Sequence, residues 1–290
     1  MSMRRVLTAV LALALAVLLS AASAEIHVGQ RPPADWQDKP VLRLTTFPAV
    51  TNDAALLEVG GKSMLIDGGV GKWAEDVLAS LMALGYGEGV DVFFNTHPHI
   101  DHIGCQTALI GMGYLPGAFW SSFPEDYDDD CQREAAAALA EAGVPYRRIE
   151  NGEETDFGGA HLVFWYYPGG RDPNALSCMV HITFGSATLL LTADASTGAQ
   201  DWFHRELGPL MKADIMKFPH HAYTVARSGF MDDVDPGFVY VTSRQRMTAN
   251  ANRQLRSRHI PFLHTSIGPI TLVTDGTDWY VWQVNAPYGD

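Results

Sequence analysis

The chain has 290 residues, 47% of them hydrophobic and 18% charged, enough apolar material for one large core or two modest ones. That balance excludes a disordered chain, a collagen and a disulfide framework. A formal net charge of −13 disfavours binding to long nucleic acid, which needs many phosphates neutralised; the arginines cluster only at Arg244, Arg246, Arg253, Arg256 and Arg258.

Residues 1–24 read as a cleavable signal peptide. Arg4 and Arg5 precede an apolar run over 6–19, and Ala22-Ser23-Ala24 has the small-x-small form of a cleavage site. The run is shorter than the ~20 residues a spanning helix needs. The expected mature chain therefore begins at Glu25, lies outside the cytoplasmic membrane as a secreted or extracytoplasmic protein, keeps no membrane span, and carries about −15 once Arg4 and Arg5 are lost.

Residues 25–40 form a Pro-containing lead-in. Strands are predicted over 41–50 and 54–67, the second folded back at Gly60-Gly61. Helical spacing of Trp73, Val77, Leu78, Leu81 and Leu84 predicts a helix over 72–84, stopped by Gly85. A short strand follows at 90–95, then a helix starting near His102, a strand at 114–121, an acidic loop at 124–130 and a helix at 132–142. Strands are predicted at 160–167, 177–184, 187–192, 214–218 and 238–242, helices at 198–207 and 250–258, and three short strands over 261–284. Alternating strands and helices without a polar linker point to one α/β or α+β sandwich over 41–290. Cys105, Cys131 and Cys178 form no C-x-x-C pair and read as small buried side chains.

Five of the eleven histidines sit in two short segments, His97-Pro98-His99-Ile100-Asp101-His102 and His220-His221. Alternate residues at a strand end point the same way, and Pro98 favours extended backbone at His97, so His97 and His99 can address one point in space. Asp101 and His102, turning into a helix, can address a second. Imidazole with carboxylate suits Zn²⁺, one or two ions, with Mn²⁺ or Fe as alternatives. Two further apolar strands end in suitable groups, one in Asp194 and the other in His220 and His221.

This pattern resembles the metallo-β-lactamase superfamily, in the branch that holds the hydrolase domain of competence (DNA-uptake) proteins and secreted phosphorylcholine esterases. The resemblance rests on the H-x-H-x-D-H run, on Leu65 to Gly69 before the first helix, on Asp53 to Leu57, on Leu191 to Asp194, and on Lys217 to His221. It implies a four-layer αββα sandwich with metals at one edge. It further implies that His97 and His99 bind a first metal, that Asp101, His102 and His221 bind a second, and that Asp194 bridges them. His220 then faces the substrate, and Asp67 orients a ligand-bearing loop. Which of His220 and His221 ligates stays open; neighbours on an extended strand point apart, so one ligand and one substrate-facing donor are expected.

Two positions depart from the family pattern. Asn174-Ala175-Leu176-Ser177 stands where many members supply another His, and Ala222 replaces the usual Gly after the His pair. His181 is read as structural, and the isolated His27, His161, His204, His259 and His264 as surface or core residues. The function expected is metal-dependent hydrolysis of a phosphoester or phosphodiester, small or envelope-linked, by a metal-activated water, with Asp101 and His220 assisting. The alternatives are a metallo-hydrolase of carboxylic esters, thioesters or lactams, and a non-catalytic metal-binding module. An acidic loop beside Trp120 and Tyr127 would suit an amine or choline group on the substrate.

Overall fold

The computed structural model describes residues 24–47, 53–243 and 247–285. Residues 1–23 of the expected signal peptide, the end of the 41–50 strand, Arg244 and Arg246 lie outside the described residues. No described helix is long and apolar enough to cross a membrane.

The first half of the chain supplies β1 (Ile26–Val28), β2 (Leu42–Thr46), β3 (Ala54–Val59), β4 (Lys62–Asp67), β5 (Val92–Asn95), β6 (Ala118–Ser121) and β7 (Tyr146–Arg148). The second supplies β8 (Glu154–Phe157), β9 (Ala160–Trp165), β10 (Met179–Phe184), β11 (Ala187–Leu191), β12 (Ile215–Lys217), β13 (Phe238–Val241) and β14 (Phe262–His264). Two closing strands, β15 (Ile270–Thr274) and β16 (Trp279–Gln283), return to the first sheet. Its order is β1-β16-β15-β2-β3-β4-β5-β6-β7, and the second sheet runs β14-β13-β12-β11-β10-β9-β8. The β3–β4 hairpin turns at Gly60 and Gly61, with φ of 55° and 75°; such a two-residue turn favours glycine.

Strand sequences with almost no polar alternation arise because both faces of each sheet are covered. Leu57, Ile66 and Phe94 point into the layer between the sheets, where they meet Leu162, Leu189 and Ile215. Their neighbours Leu56, Leu65 and Phe93 point the other way, onto α1 (Ala74–Ala83), α2 (Ile100–Gly111) and α3 (Asp130–Ala142). On the opposite side Leu190, Met216 and Val239 pack beneath α4 (Thr197–Glu206), α5 (Ser228–Val234) and α6 (Ala249–Ser257). The layers are therefore helix, sheet, sheet, helix, as expected. Each fully buried Phe or Leu contributes roughly 1.5–3 kcal/mol of transfer free energy.

The differences from expectation are local. β1, β7, β8 and α5 are too short or too polar to show a period. The strand predicted over 114–121 begins only at Ala118, because Tyr114 leaves the sheet to donate its hydroxyl to Tyr86 O at 2.6 Å. Helix α3 starts two residues earlier than predicted, because the Asp129 carboxylate accepts from the amides of Cys131 and Gln132.

Strands β4 to β7 run parallel, as do β11 to β14. Their carboxyl ends lie at one edge of the sandwich, where open α/β sheets present ligand sites. Asp67, His97, Asp194, His221 and Thr242 all follow or close such strands.

Candidate metal centre

Backbone strain marks this edge. Of the seven described non-glycine residues with positive φ, five are here: Asp67, Ala193, His220, His221 and Ala222, with φ between 46° and 59°. Left-handed backbone at non-glycine residues persists where the surroundings over-determine it, as at ligand sites. His220 and His221 are thus not consecutive residues of an extended strand. Each takes left-handed backbone in a single turn over Pro219–Ala222, which buries His221 completely and leaves the His220 side chain 30% exposed. The two side chains do differ in exposure, but a turn and not an extended strand separates them.

Three buried imidazoles are oriented by their Nδ1 atoms. His97 Nδ1 lies 3.1 Å from Thr96 Oγ1, whose proton goes to Asp67, so the ring donates to the hydroxyl. His102 Nδ1 donates to Asp67 Oδ2 at 2.8 Å, and His221 Nδ1 donates to the carbonyl of Thr242 at 3.0 Å. Each ring therefore presents its Nε2 lone pair inward. His221 Nε2 is 3.0 Å, His102 Nε2 3.3 Å and His97 Nε2 4.0 Å from one atom, Asp194 Oδ2. Neither His102 Nε2 nor His221 Nε2 has a hydrogen-bond partner, although both are buried. Lone pairs directed at a carboxylate oxygen repel it unless a cation stands between them, and a proton or a divalent metal supplies that cation. The donor set of imidazole and carboxylate, held by hydrogen bonds to carboxylate, hydroxyl and carbonyl, fits a divalent metal.

Asp101, on the first turn of α2, brings its Oδ2 to 3.9 Å from His221 Nε2 and forms a second compact group with His102 and His221. His220 Nε2 lies 3.7 Å from Asp194 Oδ2, at the exposed side. His99 is less tightly gathered: its Nδ1 is 3.1 Å from His97 Nε2, and it belongs to none of the compact groups. His181 lies elsewhere, bonding Lys212 O at 2.9 Å.

Two residues of the site escaped functional assignment in the sequence. Lys217, the last residue of β12, is 3% exposed; its ammonium donates to Ala193 O at 2.6 Å, pairs with the buried carboxylate of Asp53 and stands 3.5 Å from Asp194 Oδ1. Asp53 also accepts from Thr242 Oγ1, so it ties the His221 support to the Lys217 support. A lysine closing an otherwise apolar strand, and an aspartate opening another, were the available signals.

The electrostatics follow from this crowding. Burial disfavours charge on His102, but the carboxylates of Asp194 and Asp67 override it and hold its pKa well above the ordinary imidazole range. His97 goes the other way, driven down by burial and by the neighbouring His102. Asp194 resists burial because His221, His102 and Lys217 hold its carboxyl well below the ordinary carboxylate range. Burial alone would discharge Lys217; Asp53 and Asp194 keep it protonated. Protons and metal therefore compete for His102 Nε2.

Residues 48–257 match the family model for the metallo-beta-lactamase superfamily. The chain belongs to the metallo-beta-lactamase superfamily. Members of this superfamily are mostly metal-dependent hydrolases. The chain is also 24% identical over 253 residues to the competence protein ComA of Neisseria gonorrhoeae, a match covering 83% of this chain and 33% of that protein. That identity supports the competence-protein branch, and the chain spans about a third of the length of that relative. Among solved structures it is similar to the metallo-beta-lactamase fold protein YhfI of Bacillus subtilis, with TM-score 0.51, 18% identity, and coverage of 85% of this chain and 100% of that one. It is similar too to CmlA, a diiron beta-hydroxylase from Streptomyces venezuelae, with TM-score 0.52, 13% identity, and coverage of 84% and 55%. Metallo-beta-lactamase folds thus carry metals other than zinc, and here the centre is consistent with a divalent metal.

Proposed function

We propose that this chain is an extracytoplasmic metal-dependent hydrolase of phosphoester or phosphodiester bonds, working as a single domain over 41–290. The observation that carries the reading is the convergence of two unpartnered buried nitrogens, His102 Nε2 and His221 Nε2, on Asp194 Oδ2, with Asp101 and His220 at the more open side.

By this reading His102, His221, Asp101 and Asp194 hold one ion, and His97, His99 and the shared Asp194 a second. Bound there, a divalent cation such as Zn²⁺ or Mn²⁺ supplies Lewis acidity and lowers the pKa of water. The chain's own groups do the rest. Asp101 accepts a hydrogen bond from the attacking water and aligns it. His220, exposed where the buried histidines are not, donates to the leaving-group oxygen or to the charge that develops beside it. Lys217 holds Asp194 from behind, so the carboxylate presents Oδ2 and not Oδ1 to the histidines.

Phosphoester chemistry is favoured because a two-metal centre would be able to clamp both the attacking and the leaving oxygen of an in-line displacement, and export by the basic and apolar N-terminus. A second reading, hydrolysis of a carboxylic ester, thioester or lactam, is favoured by Asn174, which leaves the His97 side with fewer ligands and makes a one-metal enzyme sufficient. A panel of chromogenic phosphodiesters, phosphomonoesters, carboxylic esters and a cephalosporin, assayed on metal-loaded protein, separates the two. Preferential turnover of the phosphoesters is expected; turnover of carboxylic esters or lactam alone would replace the first reading with the second.

A further inference from the structure

A cavity of about 280 Å³ opens beside the metal centre, lined among others by Phe123, Tyr127, Arg148, Tyr166, Pro168 and Leu176. Its place follows from strand register. Asn95, two residues before His97, is paired with Ser121, and Ser121 with Arg148, so the residues after β6 and the end of β7 lie successively beside the His97 strand end. On the other flank the amide of Cys178 donates to Thr96 O at 3.0 Å, which brings the segment carrying Leu176 against the residue preceding His97. The cavity is thus walled by the two chain segments that flank the centre on its His97 side.

The lining differs from what an amine-binding site requires. Trp120, which the sequence placed beside the acidic loop, packs toward the interior against Phe157 and Phe164, with the Arg147 guanidinium 4.2 Å from its ring centre. In the acidic loop, Asp129 caps α3, while Asp128 and Asp130 both pair with Arg133. Among the described residues no carboxylate is part of the lining, although Asp129, Asp172 and Asp128 stand near Tyr127. Its charged group is Arg148, whose side chain is 51% exposed and forms a loose ion pair with the exposed Glu150 at 3.8 Å, a contact that an anion in the cavity would have to displace or share. Tyr127 meets Phe123 edge-to-face at 4.8 Å, and Tyr166 stands on the opposite segment, so aromatic walls and a guanidinium share one volume.

We propose that this cavity is a substrate subsite for an aromatic ring bearing an anionic group, the ring lying against Tyr127 and Tyr166 and the anion meeting Arg148. Its role in catalysis rests on the hydrolase reading above; its binding preference does not. The site selects against quaternary ammonium groups, the reverse of what the acidic loop alone suggests.

Chelator-treated, metal-free protein titrated calorimetrically tests the binding preference without turnover. The probes are phenylphosphonate, methylphosphonate (anion without ring), benzyl alcohol (ring without anion) and phosphorylcholine. Phenylphosphonate should bind about tenfold tighter than each of the others, a gain of the size that one charge-assisted hydrogen bond plus ring contact provides. Arg148→Gln and Tyr166→Ala should each erase most of that advantage, whereas Arg43→Gln, a residue outside this lining, should not. Phosphorylcholine binding as tightly as phenylphosphonate, or a preference untouched by Arg148→Gln, would overturn the assignment. If metal-loaded protein cleaves no phosphoester while the preference persists, the hydrolase reading fails and the binding site stands. If cleavage occurs without the preference, the subsite alone fails.

Discussion

His102 and Asp194 face each other at 3.3 Å, nitrogen to oxygen, while the opposite nitrogen of the same ring is held at 2.8 Å by Asp67. Asp67 also accepts from the amide and hydroxyl of Thr96, each at 2.8 Å, so one buried carboxylate orients His102 directly and His97 through the threonine. Asp67→Ala should therefore lower metal affinity by about 10–100-fold without removing a ligand, the usual effect of losing such a partner. Competition with a chromogenic chelator measures it; an unchanged affinity would show that the imidazoles are oriented by packing alone.

The two halves of the centre should bind unequally. In the proposed assignment Asp101, His102, His221 and Asp194 would supply four ligands on one side, whereas His97 and His99 would have only Asp194 in addition, with Asn174 where the family resemblance implies another histidine. Calorimetric titration of metal-free protein is expected to resolve one tight site and one weaker site. Two sites of equal affinity would mean that a group other than a histidine completes the His97 side.

Lys217→Met should destabilise the fold strongly, because it leaves the Asp53 carboxylate buried and charged without its partner. Breaking a buried pair from one side costs about 3–5 kcal/mol. The double change Lys217→Met with Asp53→Leu should recover part of that loss in urea denaturation while still weakening metal binding, since Asp194 has lost its support. Equal stability of the single and double variants would show that the pair is not coupled.

The cysteines give a prediction about pH. Burial pushes the Cys105 thiol up to about 12, and the Cys178 thiol is raised further by the same cause. A group with a raised folded pKa contributes its full stability below the unfolded value and loses it as pH climbs toward the folded one. The thiols' contribution to stability should thus be level up to about pH 8 and decline from there toward pH 12, with the unfolded thiol value near 8.5 setting the onset. Both thiols should resist a disulfide exchange reagent in the native protein at pH 8 and react only on unfolding; prompt labelling of Cys105 would contradict its burial.

Much of the site was legible because metal ligation needs particular residue types at strand ends: His97, Asp101, His102, Asp194 and His221 fall into overlapping compact groups, while His99 stands outside them. What the sequence hid depends on the third dimension. Lys217 and Asp53 are 164 positions apart and become partners only when β3 and β12 meet across the sandwich. The orientation of Trp120 depended on which face of β6 points inward, and an apolar run buried on both faces carries no such information. Ala222 was seen as a departure from glycine, and its φ of 59° explains why glycine is common there.

The proposed hydrolysis depends on a bound metal and on Asp101 together. Wild-type and Asp101→Ala protein, each stripped with chelator and reloaded with Zn²⁺ or Mn²⁺, should be compared on bis(4-nitrophenyl) phosphate with bound metal quantified in the same samples. Turnover should vanish after stripping, recover on reloading, and fall by about 10²–10⁴-fold in Asp101→Ala even where metal is retained, the range for a group that assists proton movement. Turnover that survives chelation, or full activity in metal-loaded Asp101→Ala, would contradict that dependence.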